Sequence, residues 1–257
     1  MSRTRTSLAR SLVALGLVVV AAALWLAHAK AWDLGGRSPV LNYDAAQYAL
    51  AARELAWTGR LATLYALPVE LAAHAEPPWP LAVVQPGLVF AEAALFGLAP
   101  RANTIAASER LAALTLVVPI LCFIGLALVL FLGVGALIER HTPSVGFGPR
   151  QAIAAATALV VLLDPEAQHL AANGLTEMPF AFGWTVALLL LALGTPARLP
   201  LTFGIVLGVT GLFRANMMWL DPLAILAAAW TVEAPRRRKV LAFAALGFAL
   251  PLAPWWL

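Results

Sequence analysis

Long runs of apolar residues, separated by short polar stretches, are the feature that most constrains how this chain can fold. Of its 257 residues, 62% are hydrophobic and only 12% are charged, whereas roughly a quarter of the residues in an ordinary soluble domain are charged. A water-soluble fold cannot bury so much apolar surface. We therefore predict an all-α, polytopic transmembrane helical bundle, and its candidate spans are the apolar segments 12–29, 81–98, 111–138, 151–163, 178–193, 199–213, 217–232 and 240–257.

The charged residues indicate a membrane setting and no nucleic-acid partner. The chain has 17 Lys and Arg against 13 Asp and Glu, a net charge of +4 and a pI near 9.8. Its basic residues stand in short clusters between apolar runs, as in the cytoplasmic loops of membrane proteins. We expect membrane lipid as a partner, with anionic lipid at residues 236–239. The single cysteine, Cys122, excludes a disulfide within the chain.

The N-terminal segment can be interpreted in two ways. Arg3, Arg5 and Arg10 precede an apolar stretch that ends in Ala27-His28-Ala29, a pattern that fits a signal peptide with its cleavage site. Because the later segments are also apolar, we favour an uncleaved first helix with a cytoplasmic N-terminus. This gives a multi-pass integral membrane protein, and its Ala-rich helices suit a bacterial inner membrane.

A polar stretch at residues 30–80 is the only long one in the chain, and we interpret it as the first extracytoplasmic loop. Residues 45–56 have the apolar spacing of a helix, which Asp44 can cap and Gly59 can end. We expect this helix to lie along the membrane surface. The loop closes with Glu76 and a proline-rich approach, 77–80, whose tryptophan suits the membrane interface.

The number of crossings depends on segment 81–98. If it crosses fully, the basic stretches 139–150 and 236–239 both fall outside, against the positive-inside rule. If it is interfacial or re-entrant, both fall inside, while residues 164–177 and Arg214 fall on the side of the long loop. We favour the second arrangement.

The end of the sequence is apolar, because residues 242–257 contain no charged residue. A transmembrane segment normally has a polar flank. We therefore expect residues 1–257 to form one transmembrane domain that is the N-terminal portion of a longer protein.

Several strings together resemble a known family. They are YDAAQYA at 43–49, Gly59, PPWPL at 77–81, NGLTEMP at 173–179, GIVLGVTGLFRAN at 204–216 and PLAPW at 251–255. In this order they are similar to the C-type integral membrane glycosyltransferases, which include protein O-mannosyltransferases and lipid A aminoarabinose transferases of the cell envelope. The resemblance implies transfer of a hexose or pentose from a polyprenyl-phosphate donor to an acceptor hydroxyl on the extracytoplasmic side.

The resemblance also implies roles for residues of the first loop. A loop carboxylate serves the family as the base, and Asp44 matches it; in this chain Asp44 could also simply cap its helix. We expect Tyr48 and Glu76 to contact the substrate. Glu76 departs from the aminoarabinose transferases, which have a lysine directly before the two prolines, so that substrate is not assigned.

Two more charged residues are candidates. Glu177 matches a loop in which distant relatives, the oligosaccharyltransferases, bind a divalent cation through acidic residues. It could therefore be a second catalytic carboxylate and help hold a cation, or it could only begin a helix. Arg214 interrupts an apolar stretch and could meet the donor phosphate, or it could reach to the lipid headgroups.

Other classes of function stay open. The sequence contains no Walker loop, Rossmann fingerprint or zinc-ligand set, so the energy for a reaction would come with an activated substrate. A transporter or permease subunit, with Arg214 and Glu177 on the substrate path, is one alternative. An inactive fragment or assembly partner is another.

Overall fold

The structure is a computed structural model that describes residues 3–31, 43–63, 76, 79–80, 85–99, 101 and 104–256. The all-α prediction is confirmed, since the described elements are helices apart from two short paired strands, β1 (Ala62–Thr63) and β2 (Trp79–Pro80). The α-helices, in chain order, are α1 (Arg3–Ala31), α2 (Tyr43–Thr58), α3 (Pro86–Phe96), α4 (Ile105–Thr115), α5 (Val117–His141), α6 (Phe147–Leu163), α7 (Pro165–Ala172), α8 (Glu177–Ala192), α9 (Pro200–Phe213), α10 (Leu220–Trp230) and α11 (Ala234–Trp256).

Two stretches of helix in the described residues are long and apolar enough to cross a membrane. One is Thr6–His28, within α1, and the other is Ser108–His141, in which α4 continues into α5. Helices α6 and α7 meet at an angle of 63°, and together they would form a third span if the bent pair is taken as a single span. The helices α3, α8, α9 and α10 have only 11 to 16 residues each. Hydropathy alone therefore suggests more full crossings than the lengths of these helices support.

The helix that we predicted at residues 45–56, in the first part of the long loop, is present in the structure as α2. Helix α2 begins at Tyr43, so Asp44 lies in its first turn, where its charge favours the helix dipole, and not at the position before it. Gly59 ends the helix as expected. It adopts the left-handed conformation, φ 74°, and its N–H donates to the carbonyl of Leu55 at 2.9 Å. Pro77 and Pro78 lie outside the described residues.

Helices α1, α5, α6 and α7 share the largest apolar core. Aromatic side chains of α5 fill its centre, and small residues of α6 let the helices approach. The members with 0% or 1% exposure are Ala21, Phe123, Ala127, Phe131, Ala154, Ala158, Leu162, Ala171 and Met178. This packing brings the first helix against segments that follow it by more than a hundred residues.

Helices α9 and α11 pack so closely that glycine is required between them. A Cβ on Gly204 would overlap the carbonyl oxygen of Ala244, and one on Gly208 would overlap that of Phe248. Since higher numbers in α9 face higher numbers in α11, the two helices run in the same direction. The N-terminus of α11, with residues 236–239, therefore lies at the end where α9 begins.

One end of the molecule, which we call the basic end, gathers most of the basic residues. Glu139 of α5 lies 4.0 Å from Arg10 of α1 and 3.2 Å from Arg150 of α6. Arg140 donates a hydrogen bond to the carbonyl of Leu193, which places the C-terminus of α8 here too. The turn at Thr195–Ala197 connects this region to α9 and contacts α10 and α11.

The opposite end, which we call the site end, contains the described part of the long loop and the segments that the second arrangement assigns to its side. The indole N–H of Trp25 donates to the carbonyl of Ala171 at 3.0 Å, which joins the end of α1 to α7. A Cβ on Gly174 would lie 3.2 Å from that of Ala45, so the loop before α8 covers the start of α2. The basic stretches 139–150 and 236–239 thus lie at one end, and residues 164–177 lie at the other.

The apolar segment 81–98 is short in the structure. Its helix, α3, has 11 residues and starts with a proline at its first position. At 1.5 Å per residue it covers about 17 Å, roughly half the hydrocarbon thickness of a bilayer. It packs beside α2 near the site end. Its interfacial or re-entrant placement stays a prediction, with which this short length is consistent.

Thiol labelling tests this separation of the two ends. In a Cys122→Ala background, we expect Ser144→Cys and Ala172→Cys to react from opposite faces of the membrane, because the two positions lie at opposite ends of the molecule. An impermeant maleimide added to intact cells should label position 172 if the N-terminus is cytoplasmic, and position 144 only after permeabilisation. Labelling of both positions from one face would contradict the arrangement.

Candidate functional site

An ion pair at the site end joins two of the predicted residues. Nη1 of Arg214 lies 2.9 Å from Oε1 of Glu177. The two side chains keep 28% and 31% of their accessible surface, so a ligand can reach both. The other carboxylate oxygen of Glu177, Oε2, is buried and has no hydrogen-bond partner in the described part of the chain. The pair therefore combines a partly exposed cation with a carboxylate that is not fully satisfied.

Helix ends place both members of this pair. Helix α9 stops at Phe213, and Arg214 takes an extended backbone, φ −150° and ψ 81°, before a short 3-10 turn at Ala215–Met217. Glu177 is the first residue of α8, after Thr176. Arg214 is the cation and Glu177 the anion at these two termini, so each charge also suits the dipole of its own helix.

Tyr48 connects α2 to this ion pair. Its hydroxyl donates a hydrogen bond of 2.6 Å to Oε1 of Gln85, directly before α3. Burial raises the pKa of Tyr48 to about 12; a hydrogen bond with Thr176 acts in the opposite direction, and the negative charges of Glu177 and Asp44 raise the pKa further. With this pKa Tyr48 is neutral at physiological pH and can donate a hydrogen bond, which suits a positioning role.

Asp44 lies one helical turn before Tyr48 on the same face of α2. It is exposed at the start of the helix, and it is close enough to Tyr48 for its charge to act on the phenol. The charges of Asp44, Glu177 and Arg214 all act on Tyr48, and the close approach of Gly174 to Ala45 brings the start of α2 near the loop before α8. We call Asp44, Tyr48, Glu177 and Arg214, with Gln85 and Thr176, the polar cluster.

Glu76 is the predicted site residue that stays apart from the polar cluster. It is exposed in a bend. Within the described part of the chain, no hydrogen bond or ion pair connects its carboxylate to any of the six side chains of the polar cluster. Its predicted contact with a substrate gains no geometric support from its position.

Potential metal ligands are sparse in the region that the structure describes. No three His, Cys, Asp or Glu side chains there lie close enough together to hold a metal ion. His169 has the ring of His28 beside it at 6.1 Å, and Asp164 accepts from the N–H of Glu166 at 3.1 Å, which caps α7. Asp164 therefore has a structural task.

Sequence reasoning did not single out Gln85 or Thr176 as members of the site. Their positions depend on two close backbone approaches. A Cβ on Gly87 would lie 2.8 Å from backbone atoms of Leu212, so this glycine lets α3 meet the end of α9. Gly174, with φ 69°, allows the turn that leads to Thr176. In the sequence, the local signals for these two positions were Gly87, two residues after Gln85, and Gly174, two residues before Thr176.

Two buried carboxyl groups were also not assigned to the site. Glu92 of α3 is 0% exposed and Asp221 of α10 is 1% exposed, and none of their carboxyl oxygens has a hydrogen-bond partner among the described residues. We interpreted Asp221 with Pro222 as a break in an apolar segment, and α10 does begin there, at Leu220. Oδ2 of Asp221 would lie 3.2 Å from a Cβ on Gly211, which is in the last turn of α9, three residues before Arg214.

The fold defines an all-helical protein with apolar helices long enough to cross a membrane, which is consistent with a membrane protein. No protein-family model, curated protein or solved structure matches this chain. What the molecule does is therefore argued from the polar cluster.

Proposed function

We propose that this chain is a multi-pass membrane glycosyltransferase that moves a sugar from a polyprenyl-phosphate donor to an acceptor hydroxyl at the site end. The observation that supports the proposal best is the convergence of Asp44, Glu177 and Arg214. These residues belong to three distant parts of the sequence; at the site end Glu177 and Arg214 form an ion pair, and Asp44 lies one helical turn from Tyr48, on which all three charges act. A lipid-borne donor and a water-borne acceptor can meet at such a place.

The chemistry needs few groups. The acceptor oxygen forms a bond to the anomeric carbon as the bond from that carbon to the phosphate oxygen breaks, and polyprenyl phosphate leaves. Asp44 takes the proton of the acceptor hydroxyl. Attack opposite the leaving phosphate would invert the anomeric configuration, as it does in inverting glycosidases. Positioning and electrostatic stabilisation supply the rest of the acceleration.

Arg214 would bind the leaving phosphate in this reaction. A guanidinium matches phosphate oxygens in geometry and charge. Its present partner, Glu177, holds it at the site without covering it. Tyr48 and Gln85 would fix the start of α2, and so the carboxylate of Asp44, relative to this cation.

Replacement of Arg214 tests the phosphate contact. In membranes that contain the chain and a radiolabelled polyprenyl-phosphate sugar, we expect Arg214→Gln to weaken donor binding by about 10- to 100-fold, the effect of losing a charged hydrogen bond. The measurement is the KM for the donor, taken over a panel of hexose and pentose donors. Transfer of label from lipid to acceptor by the unchanged protein is the direct test of the proposed activity.

The matched control is Glu177→Gln, alone and combined with Arg214→Gln. If the pair is only structural, the two single variants should lose stability alike and the double variant should lose no more than either. If Arg214 binds phosphate, the double variant keeps the donor defect of Arg214→Gln. Normal donor KM in both Arg214 variants would contradict the role of Arg214.

A transporter is the second candidate, and the buried carboxyls of Glu92 and Asp221 favour it. Ionisable groups without partners inside apolar helices often mark substrate or proton paths. Vesicles reconstituted with the chain and free of lipid-linked sugar separate the two proposals. Solute uptake by such vesicles that is lost in Asp221→Asn would support transport, and transfer of labelled sugar without uptake would support the transferase.

A further inference from the structure

A small concave pocket at the basic end is remote from the polar cluster and has no role in the proposed reaction. It lies between the last turn of α5 and the turn that joins α8 to α9. Its walls are formed by Arg140, Leu193, Gly194, Thr195, Arg198 and Leu199. Two arginines and a threonine thus line the same pocket as two leucines.

The left-handed backbone of Gly194 shapes this pocket. With φ 65°, Gly194 ends α8, and its N–H donates to the carbonyl of Leu191 at 2.9 Å. A Cβ at this position would lie 3.1 Å from Nη1 of Arg140, so the absence of a side chain leaves room for the guanidinium. Arg140 donates to the carbonyl of Leu193, which orients it. An arginine has five N–H donors, so others are left for a ligand.

The two arginines have no acidic partner among the described residues. At this end of the molecule Glu139 pairs with Arg10 and Arg150, and no carboxylate lies within 4.0 Å of Arg140 or Arg198. Two cations that share a small pocket repel each other. An anion that bridges them would remove this repulsion and use their free N–H groups.

The position of the pocket indicates which anion it meets. Arg140 lies in the last turn of the apolar stretch Ser108–His141, which would place it at the depth of the lipid headgroups. Leu199, at the rim, is 54% exposed and would face acyl chains. An anionic phospholipid offers a phosphate to the arginines and hydrocarbon to the leucine. A zwitterionic choline lipid also brings a quaternary ammonium, which the two arginines repel.

We propose that the pocket formed by Arg140, Thr195 and Arg198 binds the phosphate group of an anionic phospholipid from the leaflet at the basic end. The guanidinium of Arg198 and the free N–H groups of Arg140 donate to the phosphate oxygens. Leu193 and Leu199 contact the first part of an acyl chain. The site is independent of the proposed sugar transfer, because it uses none of the same residues.

Binding of phosphatidylglycerol to the purified chain tests this site. Native mass spectrometry in a mild detergent, titrated with phosphatidylglycerol or phosphatidylcholine, measures the affinity for each lipid. We expect one phosphatidylglycerol to bind at least about tenfold more tightly than phosphatidylcholine, and Arg198→Gln to reduce its affinity by about tenfold. Arg238→Gln removes an equal charge at an exposed position of α11, in the stretch 236–239 where we expect only general attraction of anionic lipid, and should reduce the affinity much less than Arg198→Gln does.

Three results would overturn the proposal. One is equal binding of the two lipids, and another is an equal loss in Arg198→Gln and Arg238→Gln, since this would indicate diffuse attraction by the whole basic end. The third is binding of inorganic phosphate, added alone, that depends on Arg198 while phosphatidylglycerol shows no preference, which would assign the pocket to a soluble anion. Arg198→Gln carries the test because the side chain of Arg140 also bonds to Leu193 and its loss could disturb the fold.

Discussion

Replacement of Asp44 by Asn is expected to remove sugar transfer and leave expression and membrane insertion unchanged. The carboxylate would take the proton of the acceptor hydroxyl, and a positioned general base contributes about 10²- to 10⁴-fold to a rate. An asparagine has nearly the same shape and can still accept hydrogen bonds, but it cannot accept this proton. The measurement is the rate of label transfer from a polyprenyl-phosphate sugar at saturating donor.

A purely structural role of Asp44, as a charge in the first turn of α2, predicts a different result. A charge in the first turn of a helix is worth about 0.3–1 kcal/mol, so its loss alone would lower stability slightly and leave the rate intact. Glu54→Gln on the same helix is the matched control. It removes one charge, and its side chain can still accept from the hydroxyl of Thr58. Transfer by Asp44→Asn at the rate of Glu54→Gln would refute the assignment of Asp44 as the base.

Replacement of Gly204 by Ala is expected to disrupt the packing of α9 on α11. The added methyl group would overlap the backbone carbonyl of Ala244, and a backbone atom cannot move aside as a flexible side chain can. The helices must separate, which opens the cluster that contains Phe203 and Leu207. Overpacking of this kind costs about 1–3 kcal/mol or more. The midpoint of thermal unfolding in detergent should fall.

The matched control is Gly16→Ala in α1. A Cβ at Gly16 would meet no atom within 4 Å, and alanine favours a helix over glycine by about 0.5–1 kcal/mol. A glycine-to-alanine substitution should therefore stabilise α1 at position 16 and destabilise the contact between α9 and α11 at position 204. Equal effects on the unfolding midpoint would show that α9 and α11 do not approach as closely as the structure indicates.

Local patterns predicted most of the helical elements, although α7 (Pro165–Ala172) lies outside the predicted helical segments. An apolar run of sufficient length favours a helix wherever it stands, since a helix satisfies its own backbone hydrogen bonds. The stop at Gly59 and the helix around residues 45–56 followed from such signals. The length of the helix in segment 81–98 was harder to predict. Hydropathy counts the apolar residues on both sides of Pro86, but the helix begins only at that proline. Its helix is shorter than its apolar run.

The site was predicted in part. Asp44 and Glu177 stood out because they match carboxylates of the family that the chain resembles, and Arg214 stood out because it interrupts an apolar stretch, where a charge is costly. Their common location was an expectation from the arrangement of the segments. The direct pairing of Arg214 with Glu177 and the hydrogen bond between Tyr48 and Gln85 were not predicted. Glu76, chosen by the same reasoning, has no described contact with the cluster.

The sequence by itself determined that this chain is helical, that its helices are apolar and which charged residues interrupt them. These properties depend on free energies of single segments, namely transfer from water and helix propensity, which a local stretch of residues carries with it. Only the tertiary structure decided which helix ends lie together, where glycine lets α9 meet α11 and which carboxylate pairs with Arg214. Those outcomes depend on distances between residues far apart in the chain, because packing and Coulomb interactions act over a few ångströms of space whatever the separation in sequence.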